Sequence, residues 1–235
     1  DVYKRQVLLS EDTDPQAPFQ VPFKPIAAIA ARVMAGEPLT NFELKSPNIK
    51  RICVKEAVLP FNRFPGVYIL LGPEMRSTGE VMGRDTNFER AFFKAQLGAG
   101  VELPKKGNVF ISVRDNDKSQ RLIETVKVLT KLGFVIMATK GTARYLTKNN
   151  LPSISINKVH EGRPNIVDMM KNEEIDLVMN TTEGTQAIED SRSMRAVCLS
   201  GRIPYYTTLA ASAAVAIAIQ KWREGEIGVR SLQDY

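Results

Sequence analysis

Histidine is nearly missing from this sequence: His160 is the only one in 235 residues. That excludes a metal centre built on a histidine cluster, which gathers several imidazoles. Cysteine is almost as scarce. Cys53 and Cys198 stand alone, with no CxxC spacing, and read as reduced thiols of a cytoplasmic protein, not as a disulfide or a metal site. Long apolar runs are missing too. The most apolar stretch, "LAASAAVAIAI" from Leu209, is too short to span a bilayer and too rich in alanine, which suits a helix buried in a tightly packed layer. The opening residues carry no secretory pattern, so neither secretion nor a membrane is expected. Lysine and arginine outnumber aspartate and glutamate by 32 to 26, a net charge of +6. The excess is scattered over both halves, with no basic run and no aromatic interleaving. Nucleic acid therefore ranks well below a small anionic ligand.

A starting methionine is also lacking. The chain opens "DVYKRQ", six residues that back-translate readily to a common transposon sequencing adapter. Residues 1–6 are expected to carry no structural information, and the rest to be the tail of something longer.

Hydrophobic residues make up 43% of the chain, enough for one large domain or two modest ones. Residues 7 to about 20 are polar, acidic and proline-containing, and predict a loop. "KPIAAIAARVMAGEPL" predicts a short helix, with Pro25 at its start and Gly36 as its left-handed stop. A strand is expected from Ile52 to Leu59, and "FPGVYILLGPEMRSTGEVMG" reads as a long irregular loop. "NFERAFFKAQLGAG" predicts a helix, and "VELPKKGN" a linker.

From Asn108 the pattern turns regular. The strands "NVFISV", "FVIMA", "SISI", "IDLVMN" and "IPYYT" alternate with helices. Asp117 is the expected cap of the first helix and Asp190 that of the fourth. Short apolar strands alternating with helices predict an α/β unit, a five-stranded parallel doubly wound sheet covered on both faces. A mixed α+β region precedes it.

In open α/β sheets ligands bind outside the carboxyl ends of the strands, where helix N-termini point unpaired amides. Here the first strand ends at Ser112, with Lys118 one loop later. The second ends at Thr139, followed by Gly141 and Thr142. The third leads to Asn157 and Lys158, the fourth ends at Asn180, Thr181 and Thr182, and the fifth at Thr207 and Thr208. Each end supplies a hydroxyl, an amide or an ammonium, and none a pair of carboxylates. Such a set suits phosphate oxygens. Each residue taken singly reads better as a helix cap, and the lysines as solvated surface groups. Their coincidence at five strand ends favours an anion site.

"LPFNRFPGV", "LGPEMRSTGEVMG", "ISVRDNDK", "ATKGTARYL", "NKVHEGRPNIVD", "NTTEG", "EDSRSMRAVCL" and "IPYYTTLAASAA" together resemble the C-terminal end of the carbamoyl-phosphate synthase large subunit. The resemblance implies that 105–235 form its methylglyoxal-synthase-like allosteric domain and 7–104 a remnant of its second ATP-grasp unit. It implies effector-nucleotide contacts at Ser112, Lys118, Thr139, Gly141, Thr142, Lys158, Asn180 and Thr182, taking UMP, UTP or IMP. It also implies an ornithine-type effector site at Glu56, Leu71 and Thr207. The parent of such a fragment would be a cytoplasmic ATP-dependent, glutamine-hydrolysing ligase serving pyrimidine and arginine synthesis. It would use ATP with Mg²⁺, and K⁺ as a further ion, and pair with a glutamine amidotransferase small subunit.

The fragment itself is expected to be non-catalytic and to hold no cofactor and no metal. The Glu-x-Asn-Pro-Arg run that binds Mg²⁺ in the family is replaced here by "SEDTDPQAPF". Three rivals remain. A stand-alone methylglyoxal synthase would need a Gly-Gly-Asp loop, where this chain has "EGRPNIVD" and "NTTEGTQ"; its Asp168 is expected to be exposed on a helix. The purine-synthesis cyclohydrolase domain shares the "GTA" turn but not "HEGRP" or "DSRSMR". A purely structural domain is the last.

Overall fold

The computed structural model describes residues 7–8, 26–42, 44, 52–58, 79–181, 185–225 and 227–228. Leu71, Thr182 and the suspected adapter residues 1–6 lie outside the described residues. The earlier region holds a three-stranded antiparallel sheet in the order β1 (Val7–Leu8), β2 (Ile52–Val58), β3 (Gly79–Asp85). Two of these strands fall where the sequence predicts loop. Val7 and Leu8 pair with Val54 and Cys53, and "GEVMGRD" pairs with the whole of β2, from Ile52↔Asp85 to Val58↔Gly79. Gly83 accounts for much of the misreading of β3. It is buried where β3 passes against the next helix, and a Cβ there would fall 1.9 Å from Ala91 O. Close approach of two backbones demands this glycine, whatever its low strand propensity. The helix α1 (Ile26–Met34) forms as expected, and Gly36 follows it at φ 99°.

That next helix, α2 (Phe88–Gly98), starts at Asn87, whose side chain accepts from Arg90 N at 3.0 Å. It buries Ala91, Phe92, Phe93, Ala95 and Gln96.

The later region is the predicted α/β sheet. The strands β4 (Asn108–Ser112), β5 (Val135–Thr139), β6 (Ile154–Ile156), β7 (Leu177–Asn180) and β8 (Tyr205–Tyr206) run parallel in the order β6-β5-β4-β7-β8. Between them come α3 (Gln120–Lys131), α4 (Lys140–Lys148), α5 (Ile166–Lys171) and α6 (Thr185–Ser200), and α7 (Leu209–Glu224) follows β8. Alternation along each strand divides the apolar residues between two faces. Val109, Ile111, Ile136, Ala138, Leu177 and Met179 join α2, α3, α4 and α7 in one core. Phe110, Met137 and Val178 join α5 and α6 in the other.

Two caps differ from expectation. Ser119, not Asp117, stands at the start of α3; Asp117 ends a short 3₁₀ turn and takes a 2.8 Å bond from Arg114 Nε. Asp190 lies inside α6, which begins at Thr185.

The chain winds outward from β4 through β5 to β6, then returns to the other side of β4 for β7 and β8. The sheet therefore reverses its winding between β4 and β7, and ligand crevices open at that point beyond the carboxyl ends. The two regions also share a core. Phe93 of α2 meets Trp222 of α7 with ring centroids 4.7 Å apart. Tyr206 donates its hydroxyl proton to Gln96 Oε1 at 2.8 Å, both groups being buried.

Candidate functional site

The crevice gathers most of the strand-end residues named from sequence. Ser112 and Asn180 are register partners at the ends of β4 and β7. Thr139 ends β5, and its hydroxyl lies 3.5 Å from Ser112 Oγ. Thr139, Thr142 and Asn180 are buried. Thr181, next in the chain, pins the rim: its Oγ1 accepts from Arg114 N at 3.1 Å, and its amide donates to Ser112 O.

Thr139 stands at the N-cap of α4 yet makes no capping bond. A capping side chain would accept from an amide of the first turn. Instead the Thr139 hydroxyl donates to Thr142 Oγ1 at 3.3 Å, and Val113 N–H donates to the same oxygen at 3.2 Å. A hydroxyl oxygen offers two acceptor positions and one proton. Thr142 Oγ1 thus ties the end of β4 to the start of α4. The amides at the start of α4 stay uncapped by a side chain, with the positive end of the helix dipole behind them.

Lys118 lies over this turn. A Cβ on Gly141 would meet its Nζ at 3.4 Å and no other atom within 4 Å. Gly141 is exposed, and a side chain there would make only ordinary contact with that ammonium, so space does not demand glycine. The same ammonium is paired with Asp115 Oδ1 at 2.6 Å. The hydrogen bond and charge of Lys118 hold the Asp115 carboxyl below the usual range, with Lys158 adding to the effect. Lys158 is exposed and close enough for its charge to act on Asp115. Glu161 accepts from Lys158 N at 2.9 Å and lies 3.6 Å from Lys140 Nζ. Its carboxyl is lowered first by the Lys158 amide and further by the Lys140 and Lys158 charges.

The strand ends therefore do have carboxylates beside them. Asp115 and Glu161 were missed because each lies in a 3₁₀ turn after the strand. A signal was present in the sequence: an acid three residues from a lysine in both "DNDK" and "KVHE".

Other named residues fall elsewhere. Arg163 is largely exposed and pairs with Asp168 at 3.2 Å. Asp168 is half-buried, not exposed, because it closes a capping box with Asn165 at the start of α5. Glu56 sits half-buried in β2, in the antiparallel sheet, and Thr207 half-buried between β8 and α7. Among the described residues no cluster could hold a metal ion, and no helix is long and apolar enough to cross a membrane.

Hydroxyls, amides and lysines thus gather at the switch point of a parallel α/β sheet. Residues 121–207 match the family described as the MGS-like domain. Over 95% of its length the chain is 51% identical to the "Carbamoyl phosphate synthase large chain" of Rhizobium meliloti. It is 44% identical over 99% of its length to that of Nostoc sp., and 39% over 95% to that of Methanosarcina acetivorans. It covers 20%, 22% and 22% of these proteins, about a fifth of their length. The chain belongs to the carbamoyl phosphate synthase large-chain family, as a segment that carries its MGS-like domain.

Proposed function

We propose that this segment is the regulatory part of the large chain, and that its strand-end crevice binds the phosphate of an effector nucleotide. The observation that carries the reading is the donor set at α4: first-turn amides that Thr139 does not cap, beside the Lys118 ammonium, which also pairs with Asp115. The span of the crevice supports a ligand larger than phosphate. From β5 across β4 to β7 is two strand spacings, about 10 Å. A ligand seated on Thr139 and Thr142 must carry a sugar to reach Asn180.

In this reading UMP, UTP or IMP binds on Ser112, Lys118, Thr139, Gly141, Thr142, Lys158, Asn180 and Thr182. Glu56, Leu71 and Thr207 form part of a second, ornithine-type site. The intact protein makes carbamoyl phosphate in the cytoplasm from bicarbonate, ammonia and ATP with Mg²⁺. Its ammonia comes from a glutamine amidotransferase subunit, and the segment alone is not catalytic.

A lyase acting on dihydroxyacetone phosphate is the second reading. The MGS-like match and the exposed Asp115 beside Lys118 favour it. Calorimetric titration of the full chain with UMP, UTP and IMP, beside an assay for methylglyoxal release, separates the two. Nucleotide binding without turnover is expected. Methylglyoxal release with no nucleotide binding would overturn the regulatory reading.

A further inference from the structure

Lys118 already has an anion. Its ammonium, which stands over the first turn of α4, is paired with Asp115 Oδ1 at 2.6 Å. The Lys118 side chain is 19% exposed and that of Asp115 92%. The lysine is thus held by its surroundings, and the carboxylate reaches in from solvent. A second cation acts on it as well: the Lys158 charge adds to that of Lys118 in holding its carboxyl down. Asp115 therefore answers both lysines that a phosphate at α4 would need, next to the positive end of that helix. The neighbouring carboxylates are committed differently. Asp117 takes a bond from Arg114 Nε at 2.8 Å. Glu161 accepts from Lys158 N at 2.9 Å and lies 3.6 Å from Lys140 Nζ.

We propose that Asp115 is a built-in competitor for the effector phosphate: its carboxylate occupies Lys118 until a ligand of greater charge displaces it. The inference rests on the nucleotide reading above. The competitor sets a threshold. Exchanging one carboxylate for another gains nothing, so a singly charged acid has little claim on the lysine. A phosphate brings nearly two charges and three acceptor oxygens, and wins it. Displacement costs little else, because so exposed a side chain leaves Lys118 by rotating into water. Asp115 thus lowers affinity for every anion and leaves the crevice to the strongly charged ones.

The test is Asp115→Asn in the full chain, which keeps the shape of the side chain and removes its charge. Affinities for UMP and for inorganic phosphate are measured by calorimetry at fixed ionic strength, with Lys118→Ala and the double variant completing a cycle. Both ligands should bind about twofold to fivefold tighter to Asp115→Asn, the scale of an exposed ion pair. In the Lys118→Ala background the same substitution should gain less, because no lysine remains to be released. In the parent, the Asp115 carboxyl followed by ¹³C NMR should titrate higher with phosphate bound than without it. Weaker or unchanged binding by Asp115→Asn would overturn the proposal, making the carboxylate a guide for Lys118 or a bystander. An equal gain with and without Lys118 would overturn it too, leaving only general repulsion. If the parent binds phosphate but no nucleotide, the nucleotide reading fails, and the phosphate affinities still decide whether Asp115 competes. If neither parent nor Asp115→Asn binds phosphate or UMP, both readings fall.

Discussion

Thr142→Val is close to isosteric, yet the structure makes it far from silent. Thr142 is 1% exposed, and its oxygen takes bonds from Val113 N–H and from the Thr139 hydroxyl. Valine removes that oxygen. The Thr139 proton can turn to Ser112 Oγ, already 3.5 Å away. The Val113 amide has no such exit and is stranded, at a cost of about 1–3 kcal/mol. For a chain of this size that lowers the melting temperature by roughly 2–10 °C. Nucleotide affinity should fall about tenfold to a hundredfold, because a donor to a charged phosphate is lost as well. Thr142→Ser separates the two effects. It keeps the hydroxyl and gives up one methyl group, about 0.8 kcal/mol, so it should melt slightly lower and bind like the parent. Calorimetric melting and UMP titration of both variants provide the test. A valine variant that melts lower but binds UMP like the parent would refute the phosphate role and leave Thr142 as a brace between β4 and α4. One that melts like the parent would refute the hydrogen bonds themselves.

Lys158→Ala should weaken UMP binding about tenfold to a hundredfold, while its exposed position keeps the stability change within about 0.5 kcal/mol; unchanged affinity would remove it from the site. Asp115, with its carboxyl lowered by Lys118, should titrate below the usual aspartate range when followed by ¹³C NMR. Its pair with Lys118 therefore contributes above that range and is lost as pH falls through the lowered pKa; an ordinary aspartate titration would show that no such pair forms. Cys198, 3% exposed and with its thiol pushed up to about 12 by burial, should resist iodoacetamide at pH 8 until denaturant is added, and labelling of the native protein would contradict this. Tyr206→Phe leaves Gln96 Oε1 buried without its donor and should cost about 1–3 kcal/mol, measurable by urea unfolding; a loss under 0.5 kcal/mol would show that the bond contributes little.

Much of the later sheet was legible because its strands are dense in Val, Ile and Leu and each gives way to a helix at a polar residue. "NVFIS" and "IDLVMN" could hardly be anything else. The earlier region was harder to read. "GEVMGRD" has two branched or long apolar residues among glycines and charges, and it is a strand because β2 offers a full ladder and α2 presses on Gly83. Neither partner is visible in the stretch itself. The same limit applied to the crevice. Hydroxyls at strand ends follow from topology, so Thr139 and Asn180 could be named. The partners Asp115 and Glu161 come from turns, and only three-dimensional packing brings them in.

The joint between α2 and α7 bears on what counts as a movable unit in this family. A cut or fusion point near residue 105 follows the sequence pattern, but it would take Phe93 away from Trp222 and Gln96 away from Tyr206. Losing one buried phenylalanine side chain costs about 3–5 kcal/mol, and a whole domain is held by only about 5–15 kcal/mol. Removing α2 bares the side of α7 on which it packs and strips away the Phe93 and Gln96 contacts, a large part of that total. A graft that is to fold alone must therefore start no later than α2, and α2 in turn packs on β2 and β3. The portable module is longer than the recognisable one, and shuffling at residue 105 would yield a piece that carries the strand-end residues without the stability to hold them in place.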